Sequence, residues 1–265
     1  MSEYNLEDCF ICYLDVLGVK NLLKEIENGE NKKLLEDIIK VIKINSKITK
    51  STSKETSKDG NLDIRSFYFS DSFAFIMKKE PRNLPHLFLI VRYLQDRFWE
   101  KGFCFRGAIT VGKMYFPKKE ENVLIGPGLV EAYKLESEIA IYPRIVVDEK
   151  LVEYIKNKNI KGSPFLEKQN DGFLINGIKK DKDGIYFLDL LNRKVLRKIG
   201  ENIINENKRF SIVWNRESKS NYERIIGEVE EIVEKNINST DEKVKQKYEW
   251  LKSYVEEIKS GAENG

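Results

Sequence analysis

The run Phe105-Arg106-Gly107-Ala108-Ile109-Thr110-Val111-Gly112 admits few folds. Its β-branched and aromatic residues demand a strand, yet it carries an arginine and two glycines. Ile125-Gly126-Pro127-Gly128 follows and opens a helix, because proline is accepted in a first helical turn. That helix continues through Ala132-Tyr133-Lys134-Leu135-Glu136. Upstream, one aspartate ends a strand, Asp15 in Tyr13-Leu14-Asp15-Val16-Leu17-Gly18. A second, Asp71 in Tyr68-Phe69-Ser70-Asp71-Ser72, sits in a hairpin turn. A strand-end Asp, a hairpin Asp, an Arg-Gly strand and a Gly-led helix together supply two carboxylates for metal and cations for phosphate.

Asp15 closes an otherwise apolar segment, where a charged side chain is expensive unless it is paired or bound to metal. Asp71 alone reads as an ordinary turn residue, since Asp favours local backbone bonds there. Adjacent antiparallel strands would bring both carboxylates to one end of a sheet. Two carboxylates and substrate phosphates make a suitable magnesium site.

The remaining pattern gives the frame. Residues 9–15 read as a buried strand, and residues 20–48 as two helices interrupted at Asn28-Gly29-Glu30-Asn31. Residues 49–60, rich in Ser, Thr and Lys, read as an exposed loop. Strands at 64–69 and 73–77 form a hairpin, residues 84–100 an amphipathic helix, 103–111 a strand, 126–138 a helix and 139–147 mostly a strand. Strand-like pieces at 172–178 and 184–190 flank the charged turn Lys179-Lys180-Asp181-Lys182-Asp183. From Val195 the pattern is helical, with a break at 236–240, and residues 261–265 should fray. This order predicts an α/β (α+β) sandwich, helices covering a mixed or antiparallel sheet. The division is a core over residues 1–193 and a helical extension over 194–265, packed on the core or on a dimer interface.

Composition excludes several classes. With 265 residues and 41% hydrophobic content the chain builds a proper core. Its 46 basic and 43 acidic residues leave a formal charge of +3, so no bulk basic field invites nucleic acid. No apolar run is long enough to span a bilayer. Cys9, Cys12 and Cys104 are the only cysteines; the odd count and the lack of a signal peptide point to a reducing cytoplasm. Cys9 and Cys12 lie in a buried strand and act as small hydrophobes. His86 is the only histidine, so neither a Cys/His zinc site nor histidine acid–base chemistry is expected.

The segment order resembles the class III nucleotidyl cyclase catalytic domain, over roughly residues 9–190. The matching residues are Asp15 with Gly18, Asp71, Arg106 with Gly112, and Gly126 with Ala132, Lys134, Leu135 and Glu136. The motifs Leu-Asp-Val-Leu-Gly, Phe-Ser-Asp-Ser, Arg-Gly-Ala-Ile-Thr, Ala-Tyr-Lys-Leu-Glu and Tyr-Pro-Arg-Ile look most like the bacterial pyrimidine cyclases of anti-phage (Pycsar) signalling. The segment 247–251 is similar to that group's ending. The resemblance implies a ferredoxin-like core and a head-to-tail homodimer with two sites. It implies two Mg²⁺ or Mn²⁺ ions held by Asp15, Asp71 and the Val16 carbonyl. Substrate phosphates fall to Arg106 and Lys180, with Lys179 and Lys182 as neighbours in register. It further implies a downstream cyclic-nucleotide-binding effector.

Departures from the family pattern shape the expected specificity. Phe67 and Val123 stand where purine cyclases read the base with polar side chains, and neither offers the partners of a purine edge. Phe67 would instead stack on a smaller base, UTP or CTP. Val130 and Lys134 replace an Asn and an Arg that steady ribose and phosphate. Lysine keeps the charge without the bidentate fork. Lys134 and Arg144 are the candidates to offset charge at the α-phosphate. The alternatives are a purine cyclase, a degenerate nucleotide-binding or dimerisation module, and a nucleic-acid-binding sheet, which the near-neutral charge opposes.

Overall fold

The computed structural model describes residues 5–55, 64–81, 83–118, 121–158, 166–169, 172–175, 177–192 and 219–263. A seven-stranded mixed sheet runs in the order β2-β3-β1-β4-β5-β9-β8. Its strands are β1 (Leu6–Val16), β2 (Ile64–Phe69), β3 (Ser72–Lys78), β4 (Phe105–Tyr115), β5 (Ile145–Val147), β8 (Ile178–Lys180) and β9 (Tyr186–Leu188). β6 (Leu166–Gln169) and β7 (Gly172–Ile175) form a separate hairpin. Only β4 and β5 pair in parallel; the other neighbours are antiparallel. The fold is thus an α+β sandwich with a mixed sheet, as the pattern predicts.

Side-chain alternation divides the core into two layers. On one face Phe10, Cys12, Leu14, Phe73, Phe75, Phe105 and Ile109 pack together. They are covered by α1 (Val19–Glu27), α2 (Lys32–Glu55), α3 (Asn83–Trp99) and α5 (Glu149–Lys158), which send Leu22, Ile38, Leu87, Phe98 and Leu151 into the same cluster. Burial of this layer supplies the main driving force for folding. The opposite face carries Cys9, Ile11, Ala74, Ile76 and Met114, and is covered by α4 (Pro127–Lys134). The α4 helix widens into a π turn, Leu135–Ile139.

Two close approaches seat α4. A Cβ on Gly112 would lie 2.6 Å from the Gly128 Cα, and one on Gly128 would lie 2.8 Å from the Ile11 side chain. Only glycine at both positions lets the helix backbone rest on β4. At the other end of β1, Gly18 turns the chain into α1 with φ 89°, a left-handed conformation that glycine adopts without strain.

The C-terminal helices α6 (Lys219–Asn236) and α7 (Glu242–Glu263) form a second cluster with Trp99, Cys104, Phe187 and Leu191. Arg224 of α6 reaches Asp96 of α3 and Glu100 just beyond its end. Tyr254 of α7 donates to Asp189 and accepts from the Leu191 amide. Among the described residues no helix is long and apolar enough to cross a membrane.

Several expectations need correction. Residues 49–55 continue α2 rather than starting a loop; the β-branched and Ser/Thr residues there are weak helix breakers. Of the strand expected over 139–147, only Ile145–Val147 forms, because the π turn runs to Ile139 and bends follow. Lys179 and Lys180 belong to β8 rather than to a turn. The α7 helix persists to Glu263 where fraying was expected from residue 261. The helical start expected at Val195 lies outside the described residues.

Candidate functional site

Antiparallel pairing builds the site at the end of β1. Asp15 lies opposite Ser72 on β3 and opposite Arg106 on β4. The Val16 amide donates to the Asp71 carbonyl at 2.9 Å, closing the β2–β3 turn against the end of β1. Asp15 and Asp71 therefore meet at one sheet edge, and their charges act on one another.

Arg106 bridges two carboxylates. Its Nε donates to Asp15 Oδ2 at 3.1 Å and lies 2.7 Å from Glu136 Oε1. One Nε carries one hydrogen, and it points at Asp15. Glu136 Oε1 is consequently buried beside a positive charge without a hydrogen bond. Burial pushes the Glu136 carboxyl up to about 7, Arg106 opposes that, and the charges of Asp15 and Asp71 add to it. Burial likewise raises Asp15, against the pull of Arg106. These carboxylates are held where a cation would be welcome.

Glu136 arrives on a stripe that runs from α4 into the π turn. Gly128, Ala132 and Glu136 face the sheet and are buried, the i, i+4 spacing of one helix face. Two small residues let the helix lie close, and the acid follows where it overhangs the start of β4. That spacing is readable in the sequence, where Glu136 ends the Ala132-Tyr133-Lys134-Leu135-Glu136 motif, but its role emerges only from the docking of the helix. The opposite face carries Val130, 69% exposed, with Tyr133 and Lys134.

Aromatic groups flank the carboxylates. The Tyr13 hydroxyl donates to Ser72 Oγ at 3.0 Å, and its ring meets Tyr133 edge-on, centroids 5.6 Å apart. Phe69 stands beside Tyr13 and is exposed. Burial raises the Tyr13 hydroxyl's pKa, so it remains a donor.

The donor set fits a hard divalent cation. All candidate ligands are oxygens, and a buried carboxylate oxygen lacks a partner. Asp15, Asp71 and the backbone of Val16 are the groups at hand. Among the described residues no cluster of three or more His, Cys, Asp or Glu side chains forms a ready-made cage. A two-carboxylate site that leaves places for water and phosphate is the usual arrangement for magnesium.

The structure disperses the other sequence-predicted residues. Lys180 lies on β8, separated from β1 by β4, β5 and β9. At ordinary strand spacing this is about 19 Å, well beyond a lysine's reach within one chain. Lys180 instead lies over the Tyr186 ring, and Lys179 pairs with Glu257. Lys134 lies on the solvent side of α4, and Val123 is exposed in the segment leading to it.

Phe67 is only 8% exposed and packs with Ile11, Ala74, Ile76 and Ala132. It is a core residue rather than an open stacking platform, because its alternation on β2 turns it toward α4. Arg144 also departs from its expected role. Its side chain is 1% exposed, forms ion pairs with Asp181 and Asp183, and lies against the stacked rings of Tyr142 and Trp250. It braces the β8–β9 hairpin against α7, with both terminal guanidinium nitrogens paired to Asp181 and Asp183.

No protein-family model matches this chain, and no curated protein matches it. Among solved structures, the chain is similar to the monomeric guanylyl cyclase domain of the RhoGC fusion protein from the aquatic fungus Blastocladiella emersonii. The two are 11% identical, with 71% of this chain and 98% of that chain covered and a TM-score of 0.48. A double mutant of the same domain gives 12% identity, 71% and 97% coverage and a TM-score of 0.44.

Proposed function

We propose that this chain is a nucleotidyl cyclase acting on a pyrimidine nucleoside triphosphate. UTP or CTP would give the 3′,5′-cyclic monophosphate and pyrophosphate. The observation that carries the reading is the meeting of Asp15 and Asp71 at one sheet edge, with Arg106 directly across the ladder.

Asp15, Asp71 and the Val16 carbonyl hold Mg²⁺ or Mn²⁺. When bound, such ions supply Lewis-acid activation of a hydroxyl and neutralise a leaving phosphate. In the reaction the ribose 3′-oxygen bonds to the α-phosphorus, the bond from α-phosphorus to the bridging oxygen breaks, and the hydroxyl proton passes to solvent. Arg106 is the cation nearest the carboxylates and binds phosphate oxygens; Glu136 orients it. Tyr13 and Phe69 would give this end of the site an aromatic wall.

The motif resemblance puts Phe67 and Val123 where a purine edge would be read, and their lack of polar groups favours a pyrimidine on that resemblance alone, since Phe67 itself is buried here. Lys134 and Lys180 reach a nucleotide only across a subunit boundary, so we place them in a head-to-tail homodimer, each site drawing on a second copy of the chain. Production of an anti-phage messenger in the cytoplasm, read by a cyclic-nucleotide-binding effector, completes the reading; it rests on the motif resemblance alone.

Arg144's engagement with Asp181 and Asp183 favours a second reading, a nucleotide-binding module without turnover. Incubation of the purified protein with Mn²⁺ and each of the four NTPs, followed by mass spectrometry, separates the two. Cyclic UMP or CMP from wild type, absent in Asp15→Ala and Asp71→Ala, supports cyclisation. Traces that are the same for all three proteins rule it out.

A further inference from the structure

The C-terminal helix pair brings a cation to the Asp15 edge that the mechanism above does not use. Lys247 lies on α7, directly before Tyr248. Tyr248 is buried in a cluster with Cys104, against which Leu17 also packs. Cys104 stands two residues before Arg106, and Leu17 two residues after Asp15. The turn of α7 that carries Lys247 therefore rests on the ends of β1 and β4.

The rotation of α7 is fixed at several points. Trp250 donates from Nε1 to Asp181 at 2.7 Å, its ring stacks on Tyr142, and Tyr254 bonds Asp189. With those contacts set, Lys247 is half-buried and its charge acts on Arg106, Asp15 and Glu136. Among the described residues it forms no ion pair. Burial and the nearby Arg106 lower its pKa, so an anion placed beside it is favoured.

Charge balance points to what that anion is. Asp15, Asp71 and Glu136 lie with Arg106 and Lys247 at this end of the sheet; Lys20 also acts on Asp15, and Asp241 on Lys247. Divalent ions at Asp15 and Asp71 would satisfy those carboxylates and release Arg106 from Asp15. Arg106, still held by Glu136, and Lys247 would then both stand beside the metal, the electrostatic complement of a polyphosphate chain.

We propose that Lys247, carried by the C-terminal helix of the same chain, binds the phosphates of the nucleotide held at Asp15 and Asp71. The helix pair is thereby part of the site as well as a brace for the core. This inference rests on the cyclase reading and adds a substrate-binding residue to it.

The test is calorimetric binding of inorganic pyrophosphate in the presence of Mg²⁺, using the full chain. Lys247→Met keeps the aliphatic stem that packs along α7 and removes the charge; Lys247→Arg keeps the charge. Loss of a charge-assisted hydrogen bond should weaken pyrophosphate binding of Lys247→Met about 10- to 100-fold, with the melting temperature held. Lys247→Arg should retain most of the affinity. With nucleotide, Lys247→Met should raise KM more than it lowers kcat.

Asp71→Ala serves as the control for the underlying reading. Wild-type affinity in Lys247→Met, with binding lost in Asp71→Ala, overturns the role of Lys247 and leaves the cyclase reading standing. Wild-type affinity in both variants removes the reading itself. A fall in melting temperature in Lys247→Met without a change in affinity makes Lys247 a structural counter-charge and also overturns the proposal.

Discussion

Arg106 and Asp15 stand directly opposite one another on β4 and β1, with Nε 3.1 Å from Oδ2. The same nitrogen lies 2.7 Å from Glu136. A guanidinium thus occupies the place between two carboxylates where positive charge is most wanted. Arg106 keeps the acids compatible with folding, and a cation arriving at Asp15 would exchange partners with it.

Replacing Asp15 with Asn separates function from stability. Burial holds the Asp15 carboxyl above its ordinary range, so its charged form opposes folding. Asp15→Asn should therefore melt at or slightly above the wild-type temperature in metal-free buffer. Product formation should fall about 1,000-fold, since a metal ligand supplies several kcal/mol of transition-state stabilisation. Calorimetry and nucleotide mass spectrometry on one preparation check both halves.

Glu136 makes stability depend on pH. Its ordinary value is 4.5, and burial lifts it to about 7 in the fold. The folded protein binds this proton more tightly than the unfolded chain. The resulting stabilisation is complete below about pH 4.5 and is lost as pH rises through about 7. Glu136→Gln removes the loss. Its stability relative to wild type should be lowest in acid and should grow between pH 5 and 8, by up to about 3 kcal/mol. Urea unfolding of both proteins across that range in EDTA measures the difference. Parallel curves would show that Arg106 fully compensates the carboxylate.

Removing Arg106 should be worse than removing Glu136. Arg106→Ala leaves Asp15 and Glu136 facing each other in a partly buried site, which destabilises by about 3 kcal/mol. Adding Glu136→Gln should recover a good part of that, because the remaining acid has no like charge to oppose. The double-mutant cycle reads the coupling directly, and additive effects would show that the bridge is energetically idle.

The seating of α4 gives a steric prediction. Gly112→Ala places a Cβ 2.6 Å from the Gly128 Cα, a backbone contact that cannot rotate away. The helix must lift, at about 2 kcal/mol, and Glu136 lifts with it. Activity per folded molecule should fall as well as stability. Ala at Gly227, where a Cβ meets nothing within 4 Å, should be neutral or slightly stabilising.

What could be read from sequence was local. Asp15 at the end of an apolar run, Asp71 in a turn between aromatic strands, and the Gly-led helix each follow from nearest neighbours, and the sheet brings them together. The burial of Phe67 and the distance of Lys180 from Asp15 within one chain were not legible, for one reason: both depend on strand order and on which face of the sheet a residue takes, which long-range pairing sets. The π turn was invisible because its residues have ordinary helix propensity, and only packing against β4 and β5 selects it. Lys247 stood in the sequence only as the first residue of the 247–251 motif, with no role attached to it. A lysine on an amphipathic helix reads as solvated until the helix is docked.

Arg144 provides the test that separates a structural cation from a catalytic one. Its guanidinium is buried, pairs with Asp181 and Asp183, and lies over the rings of Tyr142 and Trp250. Arg144 holds the Asp183 carboxyl below its ordinary value against the effect of burial, so the pair favours folding above the usual carboxylate range and fades in acid. Removing the guanidinium leaves two acids around an apolar cleft and frees the edge of α7. Arg144→Ala should lose about 3 kcal/mol of stability, and Arg144→Lys should lose a smaller share because it keeps charge but not the planar fork. Below its lowered melting temperature, each variant should bind Mg²⁺-pyrophosphate with an affinity that tracks how firmly α7, and with it Lys247, stays docked. A variant that melts like wild type but makes no cyclic nucleotide would instead return Arg144 to the reaction.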